Sequence, residues 1–296
     1  MTKVALKILA ALAASLLLQS PVGRAAELRV AAVQFRSSFD IGSNCQRIIS
    51  TLKRLAAQGV KVAVFPECAL TGYQKGPVVS ASASEIESAE KAIQDTCRTA
   101  GIAVVLGSVY KIHGHTYDTA VVIDANGKVV ERYGKLFLAG EQWATPGNHI
   151  SFFDLAGVPS TVMICHDERY PELVRLPAMA GARIVYYISS ESPLTDEQKL
   201  RPYRAQIMAR AVENGVFIVQ ANTPSNPDST GSHGQSRIVA SDGNVRQEAS
   251  FFGDDVLIDT LDTKPGALLR PLNGPFGTWW KQGLDAMLQA RHKQLD

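Results

Sequence analysis

An α/β architecture with mixed β-sheet is predicted for this 296-residue chain by two observations. Short apolar, β-branched runs alternate with longer segments whose apolar residues recur at helical spacing, first between Leu28 and Tyr110 and again between Ser160 and Ala221. Strand-like pieces then succeed one another without an intervening helix, so antiparallel pairs must join the parallel ones. No low-complexity linker interrupts the pattern, and residues 26–270 read as one domain.

The elements follow in order. Leu28 to Phe35 is an apolar run of strand length, and a helix from about Asn44 to Ala57 places Ile48, Ile49, Leu52 and Leu55 on one face before Gly59 stops it. Lys61 to Phe65 is a short strand of the kind buried on both faces. A helix from Ser84 to Thr99 leads into a strand from Ala103 to Tyr110, and Thr119 to Ile123 with Lys128 to Tyr133 form a hairpin around Asp124-Ala125-Asn126-Gly127. The second half repeats this logic: strand Ser160 to Ile164, helix Pro171 to Ala180, strand Ile184 to Ile188, helix Asp196 to Asn214 and strand Val216 to Ala221. Strands at Ser236 to Ala240 and Asp254 to Leu261 close the pattern.

Residues 1–25 obey other rules. Lys3 and Lys7 precede an apolar stretch from Ile8 to Leu18, and Gly23, Ala25 and Ala26 supply small residues at its exit. This is the pattern of a signal peptide cleaved after Ala25, and the stretch is well short of the ~20 residues of a membrane-spanning helix. The expectation is an exported protein, periplasmic or secreted, with no stable membrane span. Its four cysteines are too few for a disulfide scaffold; Cys45 and Cys97, both on predicted helices, are either a pair or two buried thiols. A net charge of +2 with scattered Lys and Arg excludes a nucleic-acid footprint and points to small-molecule partners. The tail, residues 271–296, carries Trp279, Trp280, Leu284, Met287 and Leu288 and is apolar enough to dock, either in a dimer contact or on the domain itself.

Three distant segments each end an apolar run with one reactive side chain: Phe65-Pro66-Glu67, Tyr133-Gly134-Lys135 and Ile164-Cys165-His166-Asp167. In open α/β sheets ligands gather beyond the carboxyl ends of strands, where Glu67 and Cys165 fall. Brought together, Glu67, Lys135 and Cys165 supply a base, a cation and a nucleophile, the chemistry of carbon–nitrogen bond hydrolysis. A free thiol is about 3% ionised at neutral pH, so ionisation alone raises the nucleophile only about thirtyfold. Lys135 and the backbone N–H of His166 are therefore assigned to the oxyanion, where each donor is worth about a hundredfold to a thousandfold.

Around these residues stand Thr71-Gly72-Tyr73, Pro146-Gly147, Glu168-Arg169-Tyr170-Pro171-Glu172, Ala209-Arg210-Ala211-Val212-Glu213-Asn214 and Gly234-Gln235-Ser236-Arg237-Ile238 before Asp242-Gly243. In this order the blocks resemble the nitrilase superfamily, the carbon–nitrogen hydrolases, over Leu28 to Asp262. The resemblance implies a four-layer αββα sandwich with two mixed sheets, pairing into homo-oligomers through helix faces, Glu67, Lys135 and Cys165 as the catalytic set, and no metal or organic cofactor. It also implies a second glutamate that positions substrate or holds the lysine, for which Glu141 is the candidate, although Leu136-Phe137-Leu138 replaces the family's usual His-Leu.

His166-Asp167-Glu168-Arg169-Tyr170-Pro171-Glu172 after the cysteine is similar to the amidase and carbamoylase branches rather than to true nitrilases, which place Trp-Glu there. Hydrolysis of a small amide or N-carbamoyl compound through a thioester is thus expected, with nitrile hydrolysis or acyl transfer as alternatives on the same site. Tyr73, Arg169, Ser189 within the Tyr187–Glu191 segment, and Tyr203 are expected to line the pocket. Arg169 would either grip a substrate carboxylate or pair with Asp167 or Glu172. A reading from a different class is a metal-binding protein using His113 and His115 with Asp118.

Overall fold

The computed structural model describes residues 27–193 and 197–264, with 278–279, 281–283 and 285–286 of the tail. The expected leader, residues 1–25, and most of the 271–296 tail lie outside the described residues, as do the side chains of 197–200 and 203.

One sheet has the order β12-β1-β2-β3-β4-β5, with β1 Glu27–Gln34, β2 Val62–Val64, β3 Ala103–Ile112, β4 His115–Ile123, β5 Val129–Gly134 and β12 Asp255–Asp262. The other has the order β11-β10-β9-β8-β7-β6, with β6 Phe153–Leu155, β7 Val158–Ile164, β8 Ile184–Ser189, β9 Phe217–Asn222, β10 Arg237–Val239 and β11 Val245–Glu248. Each sheet has a parallel core, β1-β2-β3 in one and β7-β8-β9 in the other, flanked by antiparallel strands. The recurrence in the sequence is thus a recurrence of topology.

Alternation along the strands divides the core into layers. Val30, Ala32, Val62 and Val64 face Val162, Ile164, Tyr186, Ile188 and Val219 between the two sheets. Ala31, Val33, Ala63 and Phe65 face the opposite way, onto Ile48, Leu52 and Leu55 of α1 (Ile41–Ala57) and Ile86, Ile93 and Cys97 of α3 (Ala83–Ala100). On the far side, Met163, Val185 and Ile218 meet Val174 and Ala178 of α4 (Glu172–Ala180) and Ile207 and Ala211 of α5 (Glu197–Asn214). The result is the four-layer αββα sandwich. Strands covered on both faces must be apolar on both, which is why Val62–Val64 shows no polar position.

Local signals set the boundaries. Asp40 caps α1, its side chain accepting from the Ser43 N–H, which begins that helix three residues before the expected Asn44. Ser82 caps α3 and Gly101, at φ +66°, ends it. Cys45 and Cys97 are two buried thiols, the former donating to the Ala89 carbonyl. A short helix, α2 (Lys75–Ser80), and the strands β6 and β11 carry too little periodicity to be read beforehand. β3 and β4 both run past their expected ends at Tyr110 and Thr119 and join in a hairpin that the expected elements do not include. His113 and Gly114 form its two-residue turn, both at positive φ (+50° and +79°), and Ile112 pairs with His115.

Candidate active site

The carboxyl ends of β1, β2, β7, β8 and β9 meet where the two parallel cores face one another, and the segments leaving them enclose a cavity of about 490 Å³. Tyr73, Cys165, His166 and Ser190 are on its wall. Beyond that lining lie Glu67, 1% exposed, and Lys135, 0% exposed.

Glu67 leaves β2 in a tight turn in which the Ala69 N–H bonds to the Pro66 carbonyl and the Leu70 N–H to the Gly107 carbonyl on β3. Backbone passes so close to Gly107 that a Cβ there would meet Pro66 O at 1.9 Å, Cys68 N at 2.6 Å and Glu67 Cα at 2.7 Å. Lys135 follows β5; its N–H bonds to the Asp118 carbonyl and its carbonyl accepts the Gly147 N–H, each within 2.9 Å. Cys165 opens a 3₁₀ turn (Cys165–Arg169) at the end of β7 and takes φ +45°, a left-handed conformation that a non-glycine residue adopts only when its surroundings impose it.

Asp167 imposes it. Its buried carboxylate accepts from Tyr133 Oη at 2.8 Å, the Phe137 N–H at 3.0 Å and the Ile164 N–H at 3.1 Å. The residues on either side of Lys135 are thereby tied to the turn that presents Cys165. Burial pushes the Asp167 carboxyl up to about 6 against the pull of these donors.

The Lys135 ammonium lies 2.6 Å from Glu67 Oε1 and 2.5 Å from Glu141 Oε1. Tyr73 Oη donates to the same Glu141 oxygen, and the Ala139 N–H to the other. Glu67 Oε2 accepts the Ser190 N–H at 2.7 Å, while Cys165 Sγ lies 4.0 Å from the Ser190 carbonyl oxygen. One residue therefore ties the carboxylate of one sheet to the sulfur of the other. The three segments singled out in the sequence converge here, and Glu141 joins them.

Electrostatics follow from burial. Desolvation disfavours the Lys135 ammonium, but the charge of Glu67 beside it outweighs the burial and holds the lysine protonated above its ordinary range. Burial pushes the Cys165 thiol well up, with Glu67 adding to the effect and Lys135 opposing it, so the resting sulfur keeps its proton. Burial raises Glu141, yet Lys135 and its hydrogen bonds bring that carboxyl below the usual range. His166 is lowered by burial and by the charges of Arg169 and Lys135. Among the described residues Glu67, Asp118 and Glu141 form the one cluster of metal-ligand type, and the cation they surround is Lys135.

Three expectations are corrected. Ser189 is wholly buried with its hydroxyl on Asn222 Oδ1, 3.1 Å away; Ser190 and Glu191, past the end of β8, line the cavity instead. Arg169 is exposed and outside the lining, so it is not placed to grip a substrate there. The set of His113, His115 and Asp118 does not assemble: the first histidine is a turn residue, the second is exposed with Nδ1 on Thr145, and Asp118 is buried 3.8 Å from Lys135. An odd separation along β4 sends His115 and Asp118 to opposite faces. The Tyr203 side chain lies outside the described residues.

Sequence reasoning also missed Asp118 as a neighbour of the lysine, Asp167 as a clamp, and Arg36, which lines the cavity just past the end of β1. The strand-end rule that found Glu67 and Cys165 was sufficient to find Arg36.

A family model described as carbon-nitrogen hydrolase matches residues 29–269. A protein from Staphylococcus lugdunensis named "Hydrolase in agr operon" is 30% identical over 208 residues, 68% of this chain and 87% of that one. The 2-oxoglutaramate amidase of Bacillus subtilis (strain 168) is 32% identical over 173 residues, 56% of this chain and 65% of its own length. Among solved structures, a double mutant of the amidase from Nesterenkonia sp. AN1 in complex with acrylamide superposes with a TM-score of 0.73 at 25% identity, covering 83% of this chain and 94% of the other. A match across the whole sandwich, with amidases among the relatives on both sequence and structure, makes this chain a member of the carbon-nitrogen hydrolase family.

Proposed function

We propose that the protein is an amidase that cleaves the C–N bond of a small amide or N-carbamoyl compound through a thioester on Cys165. The observation that carries this reading is a single buried ammonium, Lys135 Nζ, held by Glu67 and Glu141 beside a cavity whose wall presents the Cys165 sulfur. An ammonium has three N–H donors, and two are committed to these carboxylates. The third is left for the oxygen of a bound carbonyl.

The sulfur attacks the carbonyl carbon as its proton passes to Glu67, and the C=O electron pair moves onto oxygen. The oxyanion is met by Lys135 and by the backbone N–H of His166 at the start of the 3₁₀ turn. Collapse breaks the C–N bond while Glu67 returns the proton to the departing nitrogen, leaving a thioester and ammonia or an amine. A water, deprotonated by Glu67, then releases the carboxylic acid and restores the thiol. Because burial keeps the resting thiol protonated, a base is required for the first step.

Ammonia release from primary amides, N-carbamoyl amino acids and nitriles tests the reading. Cys165→Ala is expected to lower kcat by at least about ten-thousandfold while the variant folds normally. Turnover that survives the substitution refutes the thioester.

Export is part of the proposal, supported by Lys3, Lys7 and the apolar Ile8 to Leu18 stretch. Amino-terminal sequencing of the protein from an extracytoplasmic fraction is expected to begin at Ala26. Full-length product confined to the cytosol would remove the export claim and leave the chemistry intact.

A further inference from the structure

Asp118 stands on β4 inside the same buried cluster and takes no part in the proton transfers described above. Its carbonyl accepts the Lys135 N–H at 2.9 Å, so the strand that carries it also sets the start of the Lys135 segment. The side chain is wholly buried. Oδ1 accepts from the Cys68 thiol at 3.6 Å, but among the described residues no donor reaches Oδ2. The Lys135 ammonium is 3.8 Å from that oxygen, beyond hydrogen-bond reach, while it bonds to Glu67 at 2.6 Å and to Glu141 at 2.5 Å.

Oxygens of Glu67, Asp118 and Glu141 all lie within 4.8 Å of one another, so three acids crowd one cation. The other titratable groups that face them bring no positive charge. Burial pushes the Cys68 and Cys165 thiols well up, so both keep their protons, and Tyr73 Oη is a donor to Glu141. With every carboxyl ionised, the cluster would hold two uncompensated charges in a dry interior, and Asp118 Oδ2 would be a buried anion with no donor. A proton on Oδ2 removes both difficulties. It turns the orphaned acceptor into a donor for the neighbouring Glu67 carboxylate. Burial, the charge of Glu67 and a hydrogen bond to Glu67 all favour that proton, against the pull of Lys135.

We infer that Asp118 is a positioning residue that keeps its proton at neutral pH and donates it to Glu67, aiming the base and leaving the cluster with a single net negative charge. The catalytic consequence rests on the amidase reading above; the protonation does not. An ionised Asp118 would place a further negative charge beside the ammonium that meets the oxyanion, and would oppose the charge developing there.

The experiment compares the wild type with Asp118→Asn and Asp118→Leu. An aspartate that ionises near 3.9 when unfolded but stays protonated when folded takes up a proton on folding, so its contribution is greatest below the unfolded value and declines as pH rises towards the folded one. Asparagine has no such proton. In urea unfolding, the wild type is expected to lose about tenfold in its folding constant, relative to Asp118→Asn, for each pH unit between pH 5 and pH 6.5. A difference that does not change with pH, or a wild type that gains on the variant as pH rises, means an ionised acid and overturns the inference. In turnover, Asp118→Leu removes the donor to Glu67 and is expected to lower kcat/KM by about tenfold to a hundredfold, the usual worth of a hydrogen bond to a charged group. Asp118→Asn supplies an amide N–H in its place and is expected to recover most of that loss. An asparagine variant no more active than the leucine variant, with both folded, overturns the positioning role. If the leucine variant does not fold, the pH slope of the asparagine variant decides alone. The expected slope in a protein that cleaves no amide leaves the protonated acid in place and refutes the amidase reading instead.

Discussion

Lys135→Met is expected to abolish detectable turnover and to reverse the way stability responds to pH. The lysine is surrounded by Glu67, Glu141 and Asp118, with side chains 0%, 2% and 0% exposed. On the mechanism proposed above, its removal takes away one oxyanion donor, worth about a hundredfold to a thousandfold, and also frees Glu67 from the bond that aims it. A loss in kcat of at least about a thousandfold follows. Methionine fills the space of the lysine stem, so the cost to stability is chiefly electrostatic: removing one partner of a buried pair costs about 3–5 kcal/mol.

The sign of the pH dependence separates this cause from simple misfolding. In the wild type, Glu141 is held below the ordinary carboxyl range, and its contribution is present above the unfolded value near 4.3 and lost on acidification. Without Lys135, burial is unopposed and favours the protonated acid. The variant is then most stable at low pH and weakens as pH rises. Urea unfolding at pH 5.5 and pH 8 should show the gap between wild type and variant widening at the higher pH. A gap independent of pH would mean that the lysine fills space and does not balance charge.

Gly107→Ala tests whether the strand that supports Glu67 sets its position. The added Cβ would stand 1.9 Å from the Pro66 carbonyl oxygen and 2.7 Å from Glu67 Cα, and both are backbone atoms that cannot swing aside. Either β3 or the Glu67 turn must move. A displacement of about 1 Å at a reacting group costs on the order of a hundredfold in rate, and overpacking costs about 1–3 kcal/mol. The expected result is a kcat/KM reduced by about a hundredfold or more in a protein that still folds. Gly76→Ala is the control, because nothing lies within 4 Å of its added Cβ. Full activity in Gly107→Ala would show that Glu67 is placed by other contacts.

Some of the site was readable because the chain marks the end of a buried strand by a change from apolar to polar residues. That change locates Glu67 after β2 and Cys165 after β7, and it is local in sequence. Asp167 was not readable as a clamp, since its donors come from Tyr133, Phe137 and Ile164, two of them about thirty positions away. Asp118 was misread for a related reason. In a one-dimensional reading it neighbours His115, whereas the pleat turns it inward to Lys135 while the histidine faces out. Ser189 shows the same effect at single-residue resolution: a one-position shift decided that Ser190, and not its neighbour, lines the cavity.

The alternation of strands and helices, the apolar character of the doubly covered strands and the positions of the three candidate reactive residues were determined by the sequence itself, because each depends on neighbours a few positions apart. Tertiary structure decided which groups share a charge and which strand face each one occupies. Those properties depend on distance through a low-dielectric interior, where Lys135 meets Glu67 from 68 positions away and Arg36 meets Asn226 from 190. No local pattern encodes such a meeting until two sheets have closed against each other.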